Sequence, residues 1–522
     1  MHTKVARIVI TSRLHMQAPK RFASGFGMLA AVSRLALGGL LGVIPSCAID
    51  DGTADDPVVS EDTATPGGDG DGEDAATTAV CTRGRFRCHA HVRTARVGQR
   101  IASHAAAAIP QGFGPPDLQA AYKIDPTRTA TATPPTVAIV DAYGYAALEK
   151  DLGVYRAQYG LPACTIANGC LRIVNQSGQA APLPPDPPAD DDWRVETALD
   201  IDMVSAACPK CRILVVQATD NLGSGLDLGQ NAAAMLGATV ISDSWGGAES
   251  TTAPAATSGE EAFFNHPGVA IFVSAGDDGF NDQLTTPAAA RGPDYPGTSA
   301  FTIAVGATRL VKDPASARGW RETTWAPVIN PNTGAVDPTR GAGGSACSLS
   351  IPKPAYQTAS PCAFKATSDI AAVGDPATGV AVYTSAVVGG WTVVGGTSAS
   401  APFVAAIFAA TGNGNQSSGA FIAANKTKLY DVTSGTNGTC GGQTLLCTAA
   451  AGWDGPTGYG TPNASAFMPA GTGPGTGGGS GTGKADGTGG SDDVTGGCST
   501  GGGAGLGLGL ALVGLRRRRR AA

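Results

Sequence analysis

Ser398 lies in a segment whose composition suits an attacking hydroxyl. Residues 395–402 read Gly-Gly-Thr-Ser-Ala-Ser-Ala-Pro, between strand-like residues 391–394 and a helical run at 403–410. The glycines allow a sharp turn, and the small residues allow a substrate backbone to approach closely. Ser398 would then stand near a helix N-terminus, whose amide groups favour developing negative charge. A Gly-Thr-Ser sequence taken alone could equally be a simple helix N-cap.

A serine hydroxyl is a weak nucleophile and needs a base, so the histidines decide which base is available. The chain has six of them: His2, His15, His89, His91, His104 and His266. Only His266 falls inside the predicted folded core, in an Asn-His-Pro-Gly segment typical of a loop before a strand. The sequence therefore disfavours a histidine base.

Two carboxylates on one predicted helix offer a different base. Glu196 and Asp200 lie in WRVETALDIDMVSAA, residues 193–207, and their i,i+4 spacing puts them on one helix face. A solvated acidic face is the simpler interpretation of such a pair. In a partly buried site, however, adjacent carboxylates share a proton, which raises one pKa and allows proton exchange with Ser398. Glu196 would be the general base, and Asp200 its orienting and proton-sharing partner.

A third carboxylate, Asp277, follows a predicted strand in Ser-Ala-Gly-Asp-Asp-Gly, residues 274–279. A protonated aspartic acid can donate its O–H to the oxyanion of a tetrahedral intermediate. Asp278 is the adjacent candidate for this role. A turn aspartate or a metal ligand is the simpler interpretation of the segment on its own.

Short β-branched runs alternate with helical patterns through the middle of the chain. The predicted strands cover 136–141, 212–218, 238–244, 269–275 and 301–306, and the helical patterns cover 147–159, 193–207 and 226–236. This alternation predicts an α/β fold with a mostly parallel central sheet that helices cover on both faces. Such sheets bind ligands at the carboxyl ends of their strands.

Four segments in this order resemble those of the sedolisin family of serine-carboxyl peptidases: residues 196–200, 244–247 (Ser-Trp-Gly-Gly), 275–277 and 396–398. The resemblance covers residues 112–468. It implies a subtilisin-like three-layer fold, a Ser398/Glu196/Asp200 triad and an oxyanion aspartate, for which the motif favours Asp277 over Asp278. It also implies an endopeptidase that forms an acyl-enzyme on Ser398 and works at acidic pH.

The same resemblance implies one structural Ca²⁺ ion near the C-terminal end of the domain. By analogy with the family, its ligands are Asp431, Val432, Ala450, Gly452 and Asp454. Two carboxylates plus backbone carbonyls form the all-oxygen shell that Ca²⁺ prefers. A turn without a metal is the alternative.

Two other functions remain open from the sequence. Asp141 ends the first predicted strand, where subtilisins keep a triad aspartate, so a subtilisin-type peptidase using Asp141 and Ser398 is one; it needs a histidine that the core does not supply. The other is a non-catalytic surface binding protein on a peptidase scaffold. The presence of all four candidate catalytic residues argues against it.

The N-terminal residues 1–47 have the pattern of an export signal. Basic residues precede the apolar run 35–44, which is too short to span a bilayer stably but suits a signal segment. The run leads into Ile-Pro-Ser-Cys, which resembles a bacterial lipobox with Cys47 as the lipidated residue; ordinary signal cleavage nearby is the alternative. We therefore expect an exported protein, at the cell surface or outer envelope or outside the cell.

The remaining boundaries follow from composition. Residues 48–79 predict a disordered acidic linker, 80–111 a short Cys/His-containing segment, 112–468 the peptidase domain and 469–502 a Gly/Ser/Thr-rich linker. Residues 503–522, a short apolar stretch followed by an arginine cluster, resemble a C-terminal sorting or anchor tail. Residues 51–111 are few for a propeptide of the size usual in the family, so the sequence leaves a zymogen open.

Cysteine usage agrees with export. Apart from Cys47 and Cys498, ten cysteines fall into five closely spaced couples: Cys81/Cys88, Cys164/Cys170, Cys208/Cys211, Cys347/Cys362 and Cys440/Cys447. An even set in an exported chain predicts disulfides, although spacing does not fix their connectivity. Cys208-Pro-Lys-Cys211 could instead be redox-active or half of a zinc site.

Charge and composition also bound the partners. The net charge is −6 and the core has no basic patch, which argues against nucleic acid. We expect protein or peptide substrates, membrane association through the termini only, and a monomer.

Overall fold

A mostly parallel sheet forms the centre of the computed structural model, which describes residues 76–94, 110–188, 191–250, 255–286, 292–330, 332–386 and 390–469. The strands, in chain order, are β1 (Ala76–Ala79), β2 (Arg87–Cys88), β3 (His91–Thr94), β4 (Thr136–Ala142), β5 (Leu171–Asn175), β6 (Arg212–Ala218), β7 (Val240–Asp243), β8 (Trp245–Ala248), β9 (Ala270–Ser274), β10 (Asp278–Phe280), β11 (Asp294–Tyr295), β12 (Ile303–Asp313), β13 (Gly319–Thr324), β14 (Val328–Ile329), β15 (Val336–Asp337), β16 (Ala342–Pro352), β17 (Phe364–Thr367), β18 (Ile370–Val373), β19 (Val380–Thr384), β20 (Gly390–Gly395), β21 (Leu429–Tyr430) and β22 (Thr461–Pro462).

The helices are α1 (Pro115–Tyr122), α2 (Leu148–Gln158), α3 (Trp193–Ala207), α4 (Ser224–Met235), α5 (Ala255–Ser258), α6 (Thr397–Ala410), α7 (Gly419–Ala424) and α8 (Ala464–Phe467). Short 3₁₀ turns cover Glu260–Phe263, Pro338–Arg340, Pro376–Thr378, Lys426–Lys428 and Thr444–Leu446.

The central sheet has the order β13-β12-β9-β7-β4-β6-β5, and β18 also pairs with β12. Every pairing in it is parallel except that between β12 and β13. Its strands are apolar because both faces are covered; β4, for example, is buried from Val137 to Ala142. The predicted mostly parallel α/β sheet is confirmed.

Helices pack on opposite faces of this sheet. Gly229 on α4 lies so close to Val140 that a Cβ there would meet the valine Cγ1 at 2.6 Å. The next residue along the strand, Asp141, points to the other face, where α3 packs. Helix α3 is buried along almost its whole length and packs against α6. The two helices that carry Glu196, Asp200 and Ser398 are therefore held together in the interior.

Residues 76–94 pack against the domain rather than forming a separate unit. Strand β3 pairs antiparallel with β20 and with β1, and β2 pairs antiparallel with β8. Composition predicts disorder up to residue 79, yet Ala76–Ala79 form β1, because β3 supplies a hydrogen-bonding partner that composition does not reveal.

All five cysteine couples are disulfides: Cys81–Cys88, Cys164–Cys170, Cys208–Cys211, Cys347–Cys362 and Cys440–Cys447. The predicted pairs are confirmed, and Cys208–Cys211 is a bridge rather than half of a zinc site.

The predicted signal segment 1–47, most of the linker 48–79, the linker 469–502 apart from residue 469, and the tail 503–522 lie outside the described residues. Of the helices within the described ranges, none has the length and apolar character needed to cross a membrane.

Candidate active site

Ser398 sits in the first turn of α6, at the point where β20 ends. Gly396 joins the two elements with a φ of 117°, a conformation that side chains other than glycine rarely adopt. The Ser398 hydroxyl is buried and donates to the backbone carbonyl of Ser244 at 3.0 Å. Pro402 has no N–H for the Ser398 carbonyl one turn earlier, and that carbonyl accepts from the Ser244 hydroxyl at 3.4 Å. The junction places a buried nucleophile at the N-terminus of a helix.

Glu196 and Asp200 lie on α3 facing this junction, and both side chains are completely buried. The solvated acidic face that i,i+4 carboxylates could have formed is therefore wrong. The Ser244 hydroxyl donates to Asp200 Oδ1 at 2.7 Å, which links the carboxylate to the same loop that contacts Ser398. The structure brings these three candidate residues together.

Burial dominates the electrostatics of this pair. It raises the pKa of Glu196 well above its ordinary value, and the charge of Asp141 raises it further, while the nearby Ser398 hydroxyl acts in the opposite direction. Burial likewise raises the pKa of Asp200, and the charges of Asp141 and Glu196 act in the same direction. Carboxylates so close in a dry site cannot all ionise, so they hold shared protons.

Asp141 is a third member of this carboxylate cluster. On the sequence alone, it is a candidate only for a subtilisin-type mechanism. It lies near the carboxyl end of β4, and burial raises its pKa to about 7, while the nearby Thr197 hydroxyl acts in the opposite direction. In the sequence, the signal for Asp141 as a site residue is its position at the end of a predicted parallel strand. Its contribution to a carboxylate network depends on how α3 packs on β4, which periodicity does not reveal.

Asp277 contacts Thr397, the residue directly before Ser398. Its Oδ1 accepts from the backbone amide and the hydroxyl of Thr397, both at 2.8 Å. A Cβ on Gly396 would lie 2.7 Å from Asp277 Oδ2 and 2.0 Å from the carbonyl oxygen of His89. Both oxygens therefore approach the Gly396 backbone more closely than a side chain would allow. The Ser398 amide donates to that same carbonyl at 3.0 Å. A carbonyl oxygen thus lies beside a backbone N–H and an aspartic acid, the arrangement of an oxyanion hole.

Burial raises the pKa of Asp277 to about 7, although His89 and hydrogen bonds from Thr397 lower it. Below that pH the side chain carries a proton and can donate it in a hydrogen bond. Asp278, the alternative candidate, faces Arg87, with 3.8 Å between the charged atoms.

No histidine is placed to serve as the base for Ser398 within the described residues. His266 lies in the loop before β9, as predicted. Two further histidines, His89 and His91, are buried near Ser398. Both precede the predicted domain, so the sequence gives no reason to expect them at the site. The ring nitrogens of His89, however, contact the hydroxyl of Ser274 at 2.7 Å and the carboxylate of Asp294 at 3.2 Å. His91 Nε2 lies 3.7 Å from Asp277 Oδ2.

The predicted calcium ligands lie on two neighbouring loops. Asp431 accepts from the backbone amide of Gly452 at 2.9 Å, and Asp454 accepts from that of Ala450 at 3.0 Å. Burial raises the pKa of Asp454 to about 7, and the nearby charge of Asp431 raises it further. Two converging carboxylates beside a carbonyl-rich loop fit a hard cation. Within the described ranges, no group of three or more His, Cys, Asp or Glu side chains could hold a metal, so backbone oxygens would complete such a shell.

The chain is similar to known peptidases. The profile of the subtilase family matches residues 189–460. Kumamolisin from Bacillus sp. (strain MN-32) is 31% identical over 412 residues, covering 74% of this chain and 68% of that protein. Sedolisin from Pseudomonas sp. (strain 101) is 25% identical over 385 residues, covering 70% of this chain and 62% of its own length.

A solved structure agrees. Pseudomonas sedolisin, described as a serine-carboxyl proteinase complexed with two molecules of pseudo-iodotyrostatin, superposes with a TM-score of 0.55 at 25% identity, covering 69% of this chain and 97% of that one. The predicted subtilisin-like fold is confirmed. The chain belongs to the subtilase family and, within it, is a serine peptidase of the sedolisin type.

Proposed function

We propose that this chain is an exported endopeptidase with an acidic pH optimum, in which Ser398 attacks the peptide carbonyl and Glu196 is its base. The observation that carries the assignment is the buried cluster of carboxylates on α3 facing Ser398, with no histidine of the described residues in the same position. Membership of the sedolisin group supports it.

The first step transfers the Ser398 proton to Glu196 as the serine oxygen bonds to the substrate carbonyl carbon. Asp200 and Asp141 keep a shared proton beside Glu196, so that its pKa stays high enough to accept the serine proton and later return it. Glu196 then protonates the leaving amine, and water hydrolyses the ester on Ser398 by the reverse path.

The negative charge on the carbonyl oxygen needs donors. The Ser398 amide is one, and protonated Asp277 is the other. The acidic optimum follows from this role, since Asp277 loses its proton as the pH rises through about 7. It also follows from the proton shared by Glu196, Asp200 and Asp141.

Asp431, Asp454 and the carbonyls of Val432, Ala450 and Gly452 would hold one structural Ca²⁺. When bound, the ion would neutralise the exposed carboxylate of Asp431 and the buried one of Asp454. Export is supported by five disulfides, which persist in oxidising compartments, and by the signal-like residues 1–47 ending at Cys47.

The test is hydrolysis of a denatured protein at pH 4 and pH 8 by the wild type, Ser398→Ala and His266→Ala. We expect activity at pH 4 from the wild type and His266→Ala, and none from Ser398→Ala. Faster hydrolysis at pH 8, or a loss in His266→Ala as large as that in Ser398→Ala, would contradict the proposal.

A further inference from the structure

Thr397, the residue directly before Ser398, donates two hydrogen bonds to the same oxygen of Asp277. Its backbone amide and its hydroxyl both reach Oδ1 at 2.8 Å, and the residue is completely buried. The hydroxyl oxygen also accepts from the backbone amide of Gly276 at 3.2 Å. The Gly276 amide occupies a lone pair of the hydroxyl, whose single hydrogen points at Asp277. A chain of donors therefore runs from Gly276 through Thr397 to Oδ1.

The other oxygen of Asp277, Oδ2, is buried and has no hydrogen-bond partner among the described residues. His91 Nε2 lies 3.7 Å from it, beyond ordinary hydrogen-bond distance. Oδ2 would lie 2.7 Å from a Cβ on Gly396, so it stands at the turn that carries Ser398. A proton on Oδ1 would compete with the Thr397 hydroxyl hydrogen for the space between two oxygens, whereas a proton on Oδ2 disturbs neither bond. The donor pattern therefore favours Oδ2 as the protonated oxygen of neutral Asp277.

The hydroxyl is the part of Thr397 that depends on residue type. One atom must accept from Gly276 and donate to Asp277, which a serine or threonine hydroxyl does and an aliphatic side chain cannot. Any residue at position 397 would still supply the backbone amide, because the turn at the start of α6 sets its place. A substitution at Thr397 can therefore remove one of the two bonds to Oδ1 and keep the other.

We propose that Thr397 is a positioning residue, which selects Oδ2 of Asp277 as the oxygen that carries the proton and so directs the O–H of this acid to the oxyanion. The proposal rests on the function proposed for Asp277. As negative charge develops on the substrate carbonyl oxygen, the Oδ2 proton is donated to it in a hydrogen bond while Thr397 holds Oδ1. Without the hydroxyl, the proton divides between the two oxygens, and the molecules protonated on Oδ1 lose this donor.

The hydroxyl also acts on the acidity of Asp277. Burial raises the pKa of Asp277 to about 7, while the charge of His89 and the hydrogen bonds from Thr397 lower it and the charge of Asp278 raises it. Loss of the Thr397 hydroxyl should therefore raise this pKa above its wild-type value, since His89, His91 and Asp278 still face the group. A substitution that merely loosened the site and admitted water would lower the pKa, because hydration relieves the effect of burial.

The experiment measures kcat and KM for a quenched fluorescent peptide from pH 3 to pH 9 in the wild type and Thr397→Val. At pH 4 the variant should lose roughly tenfold in kcat, about the value of one directing hydrogen bond. Its KM should change little, because the donor meets full negative charge only in the transition state. The ratio of variant to wild-type kcat should then rise between pH 6 and pH 8, by up to about tenfold, because the variant keeps its proton to higher pH.

Two further variants separate this role from a structural one. Thr397→Ser keeps the hydroxyl and should restore both the kcat at pH 4 and the wild-type pH profile. Thr411→Val is the matched control, since Thr411 is another buried threonine that follows α6, and its hydroxyl donates to the Ile407 carbonyl at 2.8 Å. Its pH profile should match that of the wild type. If Thr397→Val does not fold, Thr397→Ala should show the same loss of kcat and the same rise of the ratio with pH.

A ratio of Thr397→Val to wild-type kcat that stays constant or falls between pH 6 and pH 8 would refute the proposal. A Thr397→Ser variant as impaired as Thr397→Val would refute it as well, because the hydroxyl would not be the active part. If Asp277→Asn changes the pH profile but Thr397→Val leaves kcat unchanged, only the role of Thr397 fails. If Asp277→Asn leaves the pH profile unchanged, the function proposed for Asp277 fails, and the role of Thr397 fails with it.

Discussion

Among the substitutions considered, Asp277→Asn has the effect on pH dependence whose size the structure determines best. Burial raises the pKa of Asp277 to about 7, and only its protonated form can donate to the oxyanion. The protonated fraction therefore falls about tenfold between pH 6 and pH 8. An asparagine amide donates at every pH. The ratio of wild-type to variant kcat/KM should consequently fall about tenfold over this range, even though imperfect geometry lowers the maximum of the variant.

The assay is kcat/KM for a quenched fluorescent peptide from pH 3 to pH 9. Asp278→Asn is the matched control, since Asp278 faces Arg87 rather than the oxyanion position, and its ratio to the wild type should not change with pH. A ratio that is independent of pH for Asp277→Asn would refute the role of Asp277. If Asp278→Asn instead shows the pH-dependent ratio expected of Asp277→Asn, then Asp278 is the oxyanion donor and the motif is shifted by one residue.

Three further predictions concern the carboxylates. Glu196→Gln should lower kcat by several orders of magnitude at all pH values without lowering the melting temperature, because it removes the base but keeps the shape; near-wild-type kcat would contradict this. Asp431→Ala and Asp454→Ala should make the melting temperature insensitive to chelator, whereas saturating Ca²⁺ should stabilise the parent by roughly 3–4 kcal/mol; an unchanged chelator response in both would exclude the site. Asp141 has a folded-state pKa raised to about 7, so its stabilising effect is complete below about pH 4 and is lost as the pH rises to about 7, at about 1.4 kcal/mol per pH unit. Asp141→Asn should flatten this fall in calorimetry, and an unchanged slope would contradict the assignment.

The strands and helices that position the site could be predicted because their signals are local. Residues Val137–Val140 are apolar on both faces of the sheet, and α3 begins and ends at the predicted residues, 193 and 207. The pairs of cysteines could be predicted because each couple lies close in sequence. Ser398 could be found because a nucleophile at a strand-to-helix turn needs glycines on one side and small residues on the other.

What could not be predicted depends on long-range packing. The pairing of β3 with β20 brings together residues near 92 and 394, and no short-range pattern encodes it. For the same reason, the sequence does not show that His89 lies in the cleft or that it contacts Asp294. The burial of α3 on nearly every side also escapes a periodicity argument, because its acidic residues make it look like a surface helix.

The most direct test of the central claim is to identify the atom that carries the acyl group during turnover. The enzyme should be quenched in acid while it hydrolyses a peptide ester at pH 4, digested, and mapped by mass spectrometry. We predict that the acyl mass is found on Ser398 in the wild type, builds up more slowly in Glu196→Gln, and is absent in Ser398→Ala. An acyl group on any other residue, or acylation of Ser398 at the wild-type rate in Glu196→Gln, would contradict a serine nucleophile activated by carboxylates.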